Sequence, residues 1–259
     1  MTIDVVDPVR ENQGWEFKPE KRGCTPDSIY DSRYLREVYI ASDPEMTGRP
    51  TVPVLFDKER ETIVNNESLE IMRFLDTAFD NISTRDVDLY PDEYQDEIDR
   101  VIERIYQPIN HGVSRAGYAT TQAVYDDAVS KLFEKLAYWD EILSDQRFLV
   151  GDKLTEADIC LFVTLYRFDE AYHTGFKCNH KQIVEYPNLW GHVREIYQLP
   201  GVGETCDMSH IKANAYRSLG RNNPNRIVPL GPDPDFSRPH DRDQLPGTLT
   251  EPLKPDIGR

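Results

Sequence analysis

Within "TVPVLFDKERETIVNNES", residues 51–68, two features could hold a ligand. Pro53 interrupts an apolar run that otherwise reads as a strand. A proline cannot donate to a sheet ladder, so it belongs at a strand's start or edge. A cis Val52–Pro53 bond would turn the main chain of Val52 outward and free its N–H and C=O to pair with a ligand's peptide bond. Position alone favours trans, because only about 5–6% of X–Pro bonds in folded proteins are cis. Glu67 and Ser68 stand where an amphipathic helix begins, and exposed N–H groups with the positive end of the helix dipole attract an anion there. Ser68 also fits as an ordinary N-cap, which taken singly is the simpler reading. The carboxylate of Glu67 disfavours a bare phosphate and suits a ligand carrying both a carboxylate and an ammonium. An α-amino-acid head group is such a ligand. With a peptide bond opposite Val52, the whole is a γ-glutamyl peptide.

The elements that must position these residues follow from the pattern around them. "TIDVV" (2–6) predicts a short strand, and "YLREVYIA" (34–41) a helix that ends before "SDP", since the residue preceding a proline avoids the helical region. "VPVLFD" and "ETIVN" predict two strands joined by the turn "DKER". Residues 68–79 predict a helix with Leu69, Met72, Leu75 and Phe79 on one stripe. The polar "DNISTRDVDLYPDE" then breaks the pattern as a linker, placed at 81–92. Beyond it the periodicity is helical. Residues 93–109 align Ile98, Val101, Ile102, Ile105 and Ile109, and residues 122–143 align Val129, Leu132, Phe133, Leu136 and Leu143. A third helix starts at "LTEAD" with Thr155 and Asp158 as a capping box. A fourth spans "PNLWGHVREIYQ", with Pro187 in its first turn. After residue 217 the chain is rich in Pro and Asp and reads as an extended tail, 218–259. The expected organisation is an α/β domain over 1–80 and an all-α domain over 93–217.

Composition narrows the function classes. With 30 basic against 46 acidic residues the formal charge is -16, which argues against nucleic-acid binding. Arg outnumbers Lys, 20 to 10; such a surface fits either a salt-rich cytoplasm or ordinary solvated helices. The first residues lack the basic-then-apolar layout of a signal peptide, so a cytoplasmic protein that neither spans nor inserts into a membrane is expected. Cys24, Cys160, Cys178 and Cys206 form no Cys-x-x-Cys, and no His pair has ligand spacing, so no metal site is expected.

"TVPVL…TIVNNESLEI" followed by a helical domain containing "LTEAD" resembles the glutathione transferase superfamily. More narrowly, "GWEF", "YLREVYIASDPEMTGRPTVPVLFD", "INHGV", "AGYATTQ", "FKCN", "YPNLWGHVREIYQLPGV" and "NPNRIVPLGP" resemble the glutathionyl-hydroquinone reductases, or Xi class, from residue 14 to about residue 232. The resemblance implies a glutathione transferase fold, with a thioredoxin-like domain, a C-terminal helical bundle and a homodimer. It also implies removal of glutathione from glutathionyl-hydroquinones, in which a cysteine attacks the conjugate's sulfur and a second glutathione frees it. By the same resemblance Trp15 packs on glutathione, Val52 and Pro53 present the backbone to it, and Glu67 with Ser68 hold its γ-glutamyl head. Tyr172 and Tyr216 fall where the family faces the aromatic substrate, although simple packing also explains two tyrosines.

Two departures qualify the likeness. The family's nucleophile lies in a Cys-Pro-Trp-Ala segment ahead of the strand at 2–6, and no such segment occurs in this sequence. The first strand and helix of the thioredoxin-like domain are expected to be missing with it. The reading favours a coding start further upstream over a non-catalytic, thiol-binding or dimerising remnant. Cys24 and Cys178 do not occupy the nucleophile's position, so no residue of this chain is assigned as catalytic. Ser114 of "HGVSRAG" stands where the family commonly has a tyrosine. The thiol is glutathione or a related γ-glutamyl thiol such as γ-glutamylcysteine, and a transferase that activates glutathione's own thiol is a further alternative.

Overall fold

The structure, a computed structural model, describes residues 1–79, 82, 87–218, 220 and 222–249. Part of the expected linker and the last ten residues of the expected tail lie outside them. In chain order the elements are α1 (Leu35–Ser42), β1 (Leu55–Asp57), β2 (Thr62–Asn65), α2 (Ser68–Thr77), α3 (Gln95–Ile105), α4 (Gly112–Gly117), α5 (Gln122–Asp145), α6 (Glu156–Arg167), α7 (His173–Gly175), α8 (Pro187–Tyr197) and α9 (Met208–Arg217). Two π-helical stretches, Tyr106–Asn110 and Phe168–Tyr172, follow α3 and α6 directly. Contacts divide the chain into one unit of Met1–Leu75 with Ser209–Val228, and a second of Asp76–Met208 with Pro229–Arg259. Residues 209–228, assigned from sequence to the helical domain and the tail, thus group with the first unit.

In the first unit β1 and β2 pair antiparallel, with Phe56 opposite Ile63 and a register shift between Leu55 and Phe56. Phe17, Leu35, Val38 and Tyr39 form the buried core, and Trp15, Val54, Phe56 and Ile63 pack on it. Residues 2–6 belong to no helix and join no ladder. Their hydrogen bonds go to loops instead: Val5 N–H donates to Thr25 Oγ1 at 2.8 Å and its C=O accepts from Thr25 N–H at 2.9 Å. The predicted strand is therefore not formed, because a strand needs a ladder partner that local pattern does not supply. The α2 stripe is half-buried at best, and no residue of α2 is fully buried. A two-stranded sheet offers too little surface to cover it. Helix α9 is held in this unit by Asn214 Nδ2, which donates to Pro8 C=O at 2.8 Å.

The second unit follows the sequence pattern closely. Ile98, Ile105, Ile109, Leu132, Leu136 and Leu143 are fully buried, as the 3.6-residue period requires. Thr155 N–H and Oγ–H both donate to Asp158 Oδ2, at 2.9 and 3.1 Å, at the start of α6. Asp140 of α5 accepts from the N–H groups of Asn188 and Leu189 at 2.9 Å each, and so satisfies the free donors that open α8. The described part of the expected tail carries only one short 3-10 turn, Arg242–Gln244, yet it is bound at several points. Arg242, 2% exposed, donates to the carbonyls of Leu143, Gln146 and Arg147 at the C-terminal end of α5. Thr248 N–H donates to Asp152 C=O at 2.7 Å, and Phe236 lies among the rings of Tyr166, Trp190 and Tyr197.

Candidate functional site

The Val52–Pro53 bond is cis, against the trans geometry that position alone favoured. Val52 is 44% exposed and lies ahead of β1. Among the described residues none hydrogen-bonds its N–H or C=O, so both remain available to a ligand's backbone. Glu67 and Ser68 are exposed. The C=O of Glu67 accepts from Ile71 N–H at 2.9 Å, so Glu67 occupies the N-cap position and Ser68 is the first helical residue. The N-cap role considered for Ser68 thus passes to Glu67. Asn65 Oδ1 accepts the N–H of Glu67 at 2.7 Å, whereas the N–H and Oγ of Ser68 make no hydrogen bond among the described residues outside α2's own ladder. Free N–H donors at this helix start are the arrangement that receives a carboxylate.

Three residues that the sequence reading passed over bind these two places together. Asn66 Nδ2 donates to Thr51 Oγ1 at 2.9 Å and to Tyr39 Oη at 3.3 Å. Tyr39 Oη in turn donates to Thr51 C=O at 2.9 Å. The residue before Val52 is thereby anchored to the residue before Glu67 through the side chain of α1. "NNES" carried the signal for Asn66, but its partners lie 15 and 27 positions away, and only the fold brings them near. Trp15 is half-buried on the core, with the Arg10 guanidinium 5.6 Å from its ring centre. A groove of about 670 Å³ in the same unit is lined by residues 1–6 and by Val52 to Phe56. Ile71 and Leu75 of α2 also line it, whereas Trp15, Glu67 and Ser68 do not.

The two tyrosines lie in different units, Tyr172 in the second and Tyr216 in the first. Tyr172 closes the second π-helix, its ring centre 5.2 Å from that of Phe176 and 6.3 Å from that of Phe168. Burial pushes its phenol above the ordinary value, which keeps it a proton donor. Tyr216 is 4% exposed on α9. Burial pushes the Cys178 thiol up to about 12 and raises Cys24 and Cys206 as well, the opposite of the depression a nucleophilic thiol needs. Among the described residues no group of three or more His, Cys, Asp or Glu could hold a metal ion. No helix among them is long and apolar enough to cross a membrane.

Comparison with known proteins bears on this geometry. Residues 122–195 match the family described as Glutathione S-transferase, C-terminal domain. Glutathionyl-hydroquinone reductase YqjG of Escherichia coli is 45% identical over 243 residues, 94% of this chain and 74% of that protein. The chain belongs to the Xi class of the glutathione transferase family. Its structure resembles the Xi-class transferase of Natrialba magadii with a TM-score of 0.94 at 54% identity, covering 95% of this chain and 77% of that one. The glutathione-bound structure of YqjG gives a TM-score of 0.91 at 46% identity, with 93% and 78% of the two chains covered. The architecture is accordingly the glutathione transferase fold, and residues 122–195 of the largely helical second unit match its C-terminal domain.

Proposed function

We propose that this Xi-class chain binds glutathione, or a related γ-glutamyl thiol, across Val52, Glu67 and Ser68, and acts in the removal of glutathione from glutathionyl-hydroquinones. The observation that carries the reading is the pair of unsatisfied backbone sites: the free N–H and C=O of Val52, and the open helix start at Ser68. Val52 pairs with the cysteinyl backbone, and Pro53 fixes the direction in which that backbone faces. Ser68 with the first N–H groups of α2 receives the γ-glutamyl carboxylate, and Glu67 receives its ammonium. Trp15 packs on the tripeptide. Tyr172 and Tyr216 serve the aromatic part of a quinone-derived thioether. Supporting this are the kinship with glutathionyl-hydroquinone reductase YqjG and the glutathione held by that relative's structure. The thiolate that attacks the conjugate is not among the four cysteines of these 259 residues, and its place in the family is the Cys-Pro-Trp-Ala segment. The protein works in the cytoplasm as a homodimer.

Calorimetric titration with glutathione tests the binding step on its own. Saturable binding that weakens on Ser68→Ala and again on Glu67→Gln is expected; no heat, or equal affinity in both variants, overturns the assignment. Release of hydroquinone from a glutathionyl-hydroquinone, followed with and without an added Cys-Pro-Trp-Ala segment, tests the chemistry. Turnover by the 259 residues alone refutes the absence of a nucleophile. Sedimentation equilibrium reports the dimer directly.

A further inference from the structure

The bound tail builds a second cavity, of about 710 Å³, within the helical unit. One wall comes from α8 (Pro187, Trp190, Arg194) and the other from the tail (Pro234, Arg238, Pro239). Arg194 is only 9% exposed. Its Nε donates to Trp190 C=O at 3.2 Å and its Nη1 to the carbonyls of Arg238 and Pro239. Among the described residues its Nη2 has no acceptor, and no carboxylate lies within ion-pair distance of its guanidinium. The Arg238 guanidinium makes no hydrogen bond or ion pair among the described residues, although its charge reaches the Asp235 carboxylate and helps to lower its pKa. Burial draws Arg194 below the ordinary guanidinium range, the like charge of Arg238 adds to this, and Asp241 opposes it. Of the two carboxylates on the cavity, Asp235 accepts from Ser237 N–H and Oγ–H at 3.0 and 2.6 Å. Asp241 stands beyond ion-pair distance of both arginines. His240 accepts from Arg242 N–H through Nδ1, and only its Nε2 remains to face a ligand.

A buried guanidinium without a paired carboxylate is unfavourable, and the like charge of the exposed Arg238 beside it adds to the cost. Planar guanidinium groups pair bidentately with carboxylates. The rest of the lining is the Trp190 ring, three prolines and Val184, which suits a flat apolar body. We infer that this cavity is a binding site for a small organic carboxylate, its oxygens on Arg194 and Arg238 and its apolar part against Trp190. Nothing in the glutathione reading depends on it, and it sits wholly within the second unit.

The test follows the indole N–H resonance of Trp190, assigned by its loss in Trp190→Phe, as benzoate is added to the 259-residue protein. The probe arms are benzoate, uncharged benzamide and inorganic phosphate. Saturable benzoate shifts are expected, with a dissociation constant about tenfold or more larger in Arg238→Ala, since a charge-assisted hydrogen bond is lost. Benzamide should not saturate, and benzoate alone should raise the melting temperature. Benzoate shifts that fail to saturate, that persist unchanged in Arg238→Ala, or that benzamide reproduces overturn the inference. A response to phosphate without one to benzoate overturns it too, because the apolar wall would then play no part. Circular dichroism checks that Arg238→Ala is folded; the side chain is exposed, and Arg238→Gln replaces it if the fold is lost.

Discussion

Asn66→Ala probes how the fold holds the two halves of the thiol site in register. The substitution removes a 2.9 Å bond to Thr51 Oγ1 and a 3.3 Å bond to Tyr39 Oη. A neutral hydrogen bond contributes about 1 kcal/mol net, and the longer one falls at the low end of that range, so the pair is worth about 1–2 kcal/mol. No atom of Asn66 needs to touch the ligand for this to matter. Once the tie is cut, Val52 and the start of α2 must be ordered at the moment of binding, and the cost then appears in affinity. The expected effect is glutathione binding weaker by about 5–30-fold, read by calorimetric titration. Thr51→Val removes the stronger of the same bonds from its other end. The two substitutions should therefore not add, and the double variant should bind about as Asn66→Ala does. Asn66→Ala affinity within twofold of the parent, or simple addition in the double variant, refutes the positioning role.

Three further outcomes follow from the same structure. Arg242→Met keeps the aliphatic stem but leaves the carbonyls of Leu143, Gln146 and Arg147 without their donor. Breaking so buried a charged network should cost about 3–5 kcal/mol, seen in thermal unfolding as a fall of about 6–20 °C; a fall under about 2 °C contradicts the strap. His192 is fully buried, with neither ring nitrogen hydrogen-bonded among the described residues, and burial pushes it down to about 3 from 6.5. Its contribution is therefore present above pH 6.5 and lost as pH falls towards 3, whereas Asp158, 3.6 Å away and pushed up to about 7, loses stability as pH rises through that value. His192→Leu removes only the first slope, so urea unfolding should show the variant gaining on the parent between pH 7 and pH 4.5, and a difference that does not vary with pH counts against it. Molar salt screens the repulsion of a -16 surface, so the melting temperature should rise with salt; an unchanged or lower midpoint rejects a salt-adapted surface.

Local pattern alone determined helices α1, α2, α3, α5, α6 and α8 and several of their buried faces, whereas α4, α7, α9 and the π-helical stretches were not read from it. Ile98, Ile105 and Ile109, or Leu132 and Leu136, repeat at the helical period and are buried because any helix with that stripe must cover it. Thr155 and Asp158 are three residues apart, so their capping box was also readable in one dimension. The candidate thiol site was half legible. Val52, Glu67 and Ser68 lie within 17 positions of one another and mark a strand edge beside a helix start. The cis form at Pro53 was not visible, nor was the Tyr39–Thr51–Asn66 tie, which depends on a side chain delivered by α1.

Tertiary structure alone decided the rest, wherever a group's partner is remote in sequence. Residues 2–6 have strand composition, but a ladder requires a neighbouring strand, and their backbone bonds instead to Thr25. Tyr216 reads as part of the helical run and yet groups with the first unit, because α9 is bonded to Pro8 some 200 residues earlier. The Pro- and Asp-rich tail lacks any period, and nothing in its composition announces that Arg242 caps a helix ending almost 100 residues before it. A helix satisfies its own backbone locally, so its sequence is enough; a cap, a cavity or an edge is satisfied only by what the fold delivers to it.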